Sequence, residues 1–153
     1  MLVRLYDKLH AKSVHLSSAG SYSTITVATP EAQEGTSLPT TPLEPIAELY
    51  GQLRGAKNQG MDLSRCVLCL TAGGVRTITA GGQILSTETI SAQEVEDILA
   101  APGTRTYYST RYESAYCIYT PNQYQSATLW YQSEESLAAK LQLARLFGVT
   151  RYL

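Results

Sequence analysis

The apolar pattern predicts a strand, a helix and a second strand in the first half of the chain. β-branched residues over 23–29 predict a strand. Apolar positions recur at helical spacing over about 43–58, with Pro45 in the first turn, where a missing N–H costs little. The run 65–71 is apolar at both parities, which is typical of a strand buried on both faces. Strand, helix and buried strand in this order predict a βαβ unit with a parallel sheet.

The middle of the chain follows a different pattern, which predicts antiparallel structure. Two β-rich runs over 75–87 flank Gly81 and Gly82, which predicts a hairpin turn. Ser91 and Glu94 form a capping box that opens a short helix. We expect a small antiparallel meander to pack on this helix. Its strands correspond to three Tyr-rich runs over 105–109, 114–120 and 126–131.

The last part of the chain returns to the first pattern. Ser133 is placed to cap a helix whose first turn holds Glu134 and Glu135 and which ends at Gly148. The residues 149–153 predict a closing strand. The whole pattern predicts a single domain over 1–153 of the α/β class, a parallel sheet with flanking helices, interrupted by an α+β insertion over 75–131.

Length and charge exclude several classes of protein. The 153 residues are too few for a complete (β/α)8 barrel, which needs about 250. The chain carries 12 Lys and Arg against 13 Asp and Glu, with no basic cluster, so we expect no nucleic-acid partner. No apolar run approaches the roughly 20 residues that span a bilayer. The early charges of 1–8 do not fit a signal peptide, and an odd cysteine count fits a reducing compartment, so the expected location is cytoplasmic.

The reactive residue types form no convincing catalytic or metal site. Cys66 and Cys69 have redox-like spacing, but residues three apart on a strand point to opposite faces, which favours core cysteines. His10 and His15 lie in a segment without clear pattern. The acids, Glu44 among them, are explained by helix surfaces and caps. We therefore expect no metal, no cofactor and no catalytic residue, and we take three aromatic residues as ligand candidates: Trp130, Tyr131 and Tyr152.

The end of the chain resembles the end of a glycoside hydrolase family 18 domain. That family often closes with an aromatic strand, a helix of the form D/E-S-x-x-x-K, a glycine and a final strand. Here Glu135, Ser136 and Lys140 match the helix and Gly148 the glycine. Within that family, the chain resembles the spore-germination, YaaH-like and chitinase-like branch.

The resemblance extends backwards over about 23–153. The run 66–74 is similar to the family's LGIPxYG strand, and 25–30 falls where the family has MxYD. The helix over 91–101 and the strands over 105–119 resemble the family's insertion subdomain. The resemblance implies that the parallel sheet derives from part of a (β/α) barrel, and that a barrel fragment leaves two parallel edges open. We expect self-association, or pairing with another chain, through these edges, unless 1–20 covers one of them.

The departures from the family imply a module without catalysis. The family's acid lies in a DxxDxDxE strand, and no such motif occurs in this sequence. The Tyr and Asp of MxYD read Thr29 and Pro30, the Tyr of YG reads Gly73, and the final Trp reads Tyr152.

We therefore interpret the chain as a degenerate family-18-like module that binds N-acetylglucosamine-containing glycans or a protein partner. One alternative is a split glycoside hydrolase whose acid comes from another chain. A less favoured alternative is an enzyme that uses the cysteines or histidines.

Overall fold

The computed structural model describes residues 22–27, 29 and 42–153. The segment 1–20, with His10 and His15, lies outside the described residues, as does Pro30. No helix within the described ranges is long and apolar enough to cross a membrane. The elements in chain order are β1 (Ser23–Thr26), α1 (Ile46–Asn58), a 3-10 turn (Leu63–Arg65), β2 (Cys66–Cys69), β3 (Gly74–Ala80), β4 (Gln83–Ile90), α2 (Ala92–Ala100), β5 (Arg105–Ser109), β6 (Ser114–Asn122), β7 (Gln125–Tyr131), α3 (Glu134–Leu146) and β8 (Arg151–Tyr152).

The first layer is a parallel sheet of three strands in the order β1-β2-β8. The helices α1 and α3 supply the apolar side chains that cover it. The central strand is buried, as its uninterrupted apolar run predicts, and Leu68 is fully inaccessible. The core cluster of this layer is Ile25, Val27, Leu49, Leu53, Leu63, Cys66, Leu68, Ala144 and Val149.

The second layer is an antiparallel sheet of five strands in the order β4-β3-β7-β6-β5. Helix α2 packs on one face, where Val95 is fully buried against Leu129 and Cys117. The predicted capping box is present, with Ser91 and Glu94 bonded reciprocally. This sheet and its helix occupy residues 74–131.

The predicted hairpin and the predicted meander form one continuous sheet. Strand β3 pairs with β4 on one side and with β7 on the other, in register from Gly74 with Tyr131 to Thr79 with Ser126. The glycines of the β3–β4 turn both have positive φ, 57° at Gly81 and 79° at Gly82, which a two-residue hairpin favours.

The helix α1 begins three residues later than the pattern predicts. Pro45 is its N-cap, and Glu44 before it has a φ of +44°, outside the helical region. Leu43 is buried all the same, but against the other sheet, where it contacts Trp130 and Val75. Leu43 and Glu44 therefore form a buried link between the two layers.

Cysteines of the CxxC spacing lie in the core layer, as expected. Cys66 is fully buried and Cys69 half-buried on β2. Burial raises the pKa of both thiols, which disfavours the reactive thiolate. Among the described residues, no group of three or more His, Cys, Asp or Glu is placed to hold a metal ion.

Candidate functional site

The three predicted ligand residues do not form one site. Trp130 and Tyr131 are neighbours on β7, so they point to opposite faces of the antiparallel sheet. Tyr152 lies on β8 in the parallel sheet, where it packs half-buried against the core of that layer. Any ligand that contacts one of these side chains directly is therefore separated from the other two by a sheet or by the core.

Trp130 belongs to an aromatic row that crosses three strands. Its ring centroid lies 4.6 Å from that of Tyr116, and the ring of Tyr116 stacks on Tyr107 at 5.2 Å. Tyr112 meets Trp130 edge-on at 5.9 Å. The indole is only 6% exposed, so it is a packing residue of this face rather than a free stacking surface.

Tyr131 lies on the other face and lines a cleft there. The cleft has a volume of about 780 Å³, within the range that small-molecule sites occupy. Its floor is formed across three strands by Tyr108, Ala115 and Tyr131, which stand opposite one another in the strand register. The remaining lining comes from α2, β5 and the start of α3: Glu96, Leu99, Ala100, Thr106, Tyr107, Ser133, Glu134 and Glu135.

The two tyrosines of the floor differ in their hydroxyl groups. The hydroxyl of Tyr108 donates to Oε2 of Glu113 at 2.8 Å, and burial together with this bond raises the pKa of Tyr108. The ring of Tyr131 is only 9% exposed, and burial raises its pKa as well. No described residue forms a hydrogen bond with the Tyr131 hydroxyl. A buried hydroxyl ordinarily has a partner, so this group is available to a ligand.

The walls of the cleft are set by helix termini. The hydroxyl of Ser133 caps α3 by accepting from the backbone N–H of Ser136, and the backbone N–H of Ser133 donates to the hydroxyl oxygen of Ser136. This cap fixes the exposed first-turn residues Glu134 and Glu135 at one wall. The opposite wall is the second half of α2, with Glu96 and Leu99. The formally charged residues in the described part of the lining, Glu96, Glu134 and Glu135, are thus all acidic.

A second polar cluster lies where the parallel strands β1 and β2 end. The carboxylate of Glu44 accepts from the backbone N–H of Thr71 at 2.8 Å and from its hydroxyl at 2.6 Å. It also accepts from Nε2 of Gln132 at 3.2 Å, and the backbone N–H of Glu44 donates to Oγ1 of Thr29. Glu44 is 4% exposed, so the expectation that all acids lie on helix surfaces and caps is wrong at this position. The buried link formed by Leu43 and Glu44 turns this carboxylate inwards, where hydrogen bonds from Thr71 and Gln132 satisfy it.

Lys140 completes this cluster from α3. Its ammonium donates to the backbone carbonyl of Leu43 at 3.1 Å and to Oε1 of Gln132 at 2.9 Å. The Gln132 amide therefore bridges the two charged groups, accepting from Lys140 and donating to Glu44. Burial lowers the pKa of Lys140 to about 8, and the charge of Glu44 opposes this effect.

Only some residues of this cluster could be identified from the sequence. The spacing of Ser136 and Lys140 matched the helix of the resembled family, and both side chains are buried on α3. Nothing in the local pattern marked Glu44 or Gln132, because their contact spans 88 positions along the chain. Such a pairing depends on how the two sheets meet.

Comparisons with known proteins identify the architecture. No protein-family model matches the chain, and no curated protein sequence matches it. Solved structures do match. The chain superposes on YdhD of Bacillus subtilis, named as a sporulation-specific glycosylase, with a TM-score of 0.67 and 21% identity, covering 86% of this chain and 42% of that one. A chitinase of Chromobacterium violaceum gives a TM-score of 0.67 at 16% identity, with 86% and 39% covered.

A third match carries the family name directly. A GH18 chitinase variant of Cycas revoluta, solved with an N-acetylglucosamine tetramer, gives a TM-score of 0.55 at 20% identity, with 66% of this chain and 31% of that one covered. The chain thus spans less than half the length of each of these proteins. The chain has the fold of part of a glycoside hydrolase family 18 chitinase-like protein, as the resemblance of its sequence predicted.

Proposed function

We propose that the chain is a non-catalytic module that binds a glycan of the N-acetylglucosamine class in the cleft between α2 and α3. The observation that carries the proposal is the cleft itself, with a tyrosine floor, carboxylates at its walls and an unsatisfied hydroxyl on Tyr131. Tyrosine rings offer flat apolar area to the C–H faces of sugar rings, and carboxylates accept hydrogen bonds from sugar hydroxyls. A role in glycan binding also agrees with a fold shared with chitinases.

Two features of the strand ends support the non-catalytic part of the proposal. Gly73 stands where the resembled family has a tyrosine, and a Cβ atom added there would lie 1.9 Å from the carbonyl oxygen of Ile90. This backbone leaves no room for any side chain at that position. Glu44, the carboxylate buried at these strand ends, is engaged by Thr71 and Gln132 and is not placed to donate a proton to a glycosidic oxygen.

A blocked cleft provides the test. Ala100 is exposed and lines the cleft, so Ala100→Trp fills it without removing a core contact. We expect calorimetric titration with the N-acetylglucosamine tetramer, or with peptidoglycan fragments, to give binding to the unaltered protein and at least about tenfold weaker binding to this variant, a loss of about 1.4 kcal/mol.

Ala138→Trp is the matched control, because Ala138 is exposed on α3 and does not line the cleft. Its affinity should equal that of the unaltered protein. Absence of binding to the unaltered protein, or equal binding by both tryptophan variants, contradicts the proposal. The module would then be interpreted as one that binds a protein partner.

The alternative of a split hydrolase rests on the open parallel sheet. Among the described strands, β1 and β8 each pair only with β2, so one edge of each has no described neighbour. A second chain that supplied further strands could pair there, by the same parallel ladder, and bring its own acid. Co-purification from the native source of a partner that confers chitin-oligosaccharide hydrolysis supports this alternative, and isolation of the chain alone opposes it.

A further inference from the structure

The charge of the cleft restricts the kind of glycan that fits it. Glu134 and Glu135 are exposed at one wall and Glu96 lies at the other. The hydroxyl of the floor residue Tyr108 donates to a further carboxylate, that of Glu113. Among the described residues that line the cleft there is no Lys, Arg or His. A ligand with negative groups is therefore disfavoured, and one with a positive group gains from at least two carboxylates.

The buried hydroxyl of Tyr131 is an independent indication of a ligand. It lies on the floor between the charged walls and, among described residues, has no hydrogen-bond partner. A protonated amine or a hydroxyl of a bound sugar could supply the missing bond, since a phenol both donates and accepts. The Tyr131 hydroxyl can thus bond a polar group of a ligand in the cleft, and the walls favour a cationic one.

We propose, resting on the glycan-binding function above, that the cleft prefers glycans with free amino groups, such as glucosamine units in their ammonium form, over fully N-acetylated ones. The ammonium group lies among the wall carboxylates of Glu134 and Glu135, while a sugar ring lies on the tyrosine floor. A neutral acetamido group makes no ion pair with these walls. The preference is electrostatic, so it weakens as salt is added.

The test compares two oligosaccharides of equal length on the same protein. We expect the glucosamine tetramer to bind at least about threefold more tightly than the N-acetylglucosamine tetramer at low ionic strength, as partly exposed ion pairs allow. The ratio should approach one in about 0.5 M NaCl, where the screening length is only a few ångströms. It should also fall in the double variant Glu134→Gln, Glu135→Gln, which keeps the shape of the wall.

Two further variants separate ligand effects from folding effects. Glu48→Gln is the matched control, since Glu48 is likewise an exposed glutamate in the first turn of a helix, on α1 and outside the cleft. It should leave the ratio unchanged. Tyr131→Phe should weaken the binding of the glucosamine tetramer about threefold or more without lowering the melting temperature, because the hydroxyl that it removes has no described partner.

The outcomes distinguish this inference from the proposed function. Equal or tighter binding of the N-acetylated tetramer overturns the amino-sugar preference and leaves glycan binding intact. No binding of either tetramer overturns both. Displacement of the glucosamine tetramer by tetralysine at equal or lower concentration also overturns the inference, because the cleft would then select cationic peptides.

Discussion

Lys140 shows how a single buried charge is held in this fold. An ammonium taken out of water loses hydration that only good hydrogen bonds can offset. Here the carbonyl of Leu43 and the amide oxygen of Gln132 accept from it, and Glu44 lies beyond the amide as the opposing charge. These bonds do not fully offset the lost hydration, and burial therefore lowers the pKa of Lys140 to about 8.

This lowered pKa predicts how stability changes with pH. Between about 8 and the ordinary lysine value near 10.4, the unfolded chain binds more protons than the folded one, so stability increases as pH rises. We expect the unaltered protein to gain about 1 kcal/mol in unfolding free energy between pH 8 and pH 9, relative to Lys140→Met. Urea unfolding of both proteins at each pH measures the difference.

The comparison with Lys140→Met removes titrations that both proteins share. Cys117 and Tyr131 have raised pKa values, which act in the opposite direction at higher pH, but they are present in both. The difference should be flat below pH 7, where Lys140 is charged in both states. A difference that is also flat from pH 8 to pH 9 contradicts the buried-ammonium account.

At the scale of elements, Gly73 sets how closely β3 approaches the end of β4. A Cβ atom at Gly73 would lie 1.9 Å from the carbonyl oxygen of Ile90, and no rotamer can relieve this clash because the backbone fixes the positions of both atoms. We expect Gly73→Ala to lower the unfolding free energy by about 3 kcal/mol or more, at the upper end of overpacking costs.

Gly51→Ala is the matched control for this substitution. Gly51 lies inside α1 with no atom within 4 Å of an added Cβ, so alanine should stabilise the helix by about 0.5–1 kcal/mol. Chemical denaturation of the two variants should therefore move the midpoint in opposite directions. A midpoint for Gly73→Ala at or above that of the unaltered protein is incompatible with the close approach.

Most elements were predictable because their signals are local. Strand β5 has the predicted bounds of 105–109, and the capping boxes of α2 and α3 begin where Ser91 and Ser133 indicated. The start of α1 could not be predicted, because Glu44 adopts a positive φ that no sequence rule assigns to glutamate. Of the ligand candidates, only Tyr131 lies in the cleft, since whether a strand residue faces a cleft or the core depends on what packs above it.

At the scale of the whole molecule, the buried polar cluster joins the two sheets. Glu44 precedes α1 beside the parallel strands, Gln132 follows β7 of the antiparallel sheet, and Lys140 lies on α3. Leu43 adds an apolar contact to Trp130 across the same junction. The cleft lies on the opposite face of the antiparallel sheet from Trp130, so ligand binding there need not disturb the junction.

The position of the ligand is the central claim, and residue-resolved NMR titration tests it most directly. With isotope-labelled protein and the glucosamine tetramer, we expect the largest amide shifts at Tyr108, Ala115, Tyr131 and Glu135, around the cleft. Thr71 and Tyr152, at the ends of the parallel strands, should remain unchanged. Shifts concentrated at Thr71 and Tyr152, with none around the cleft, would contradict the account.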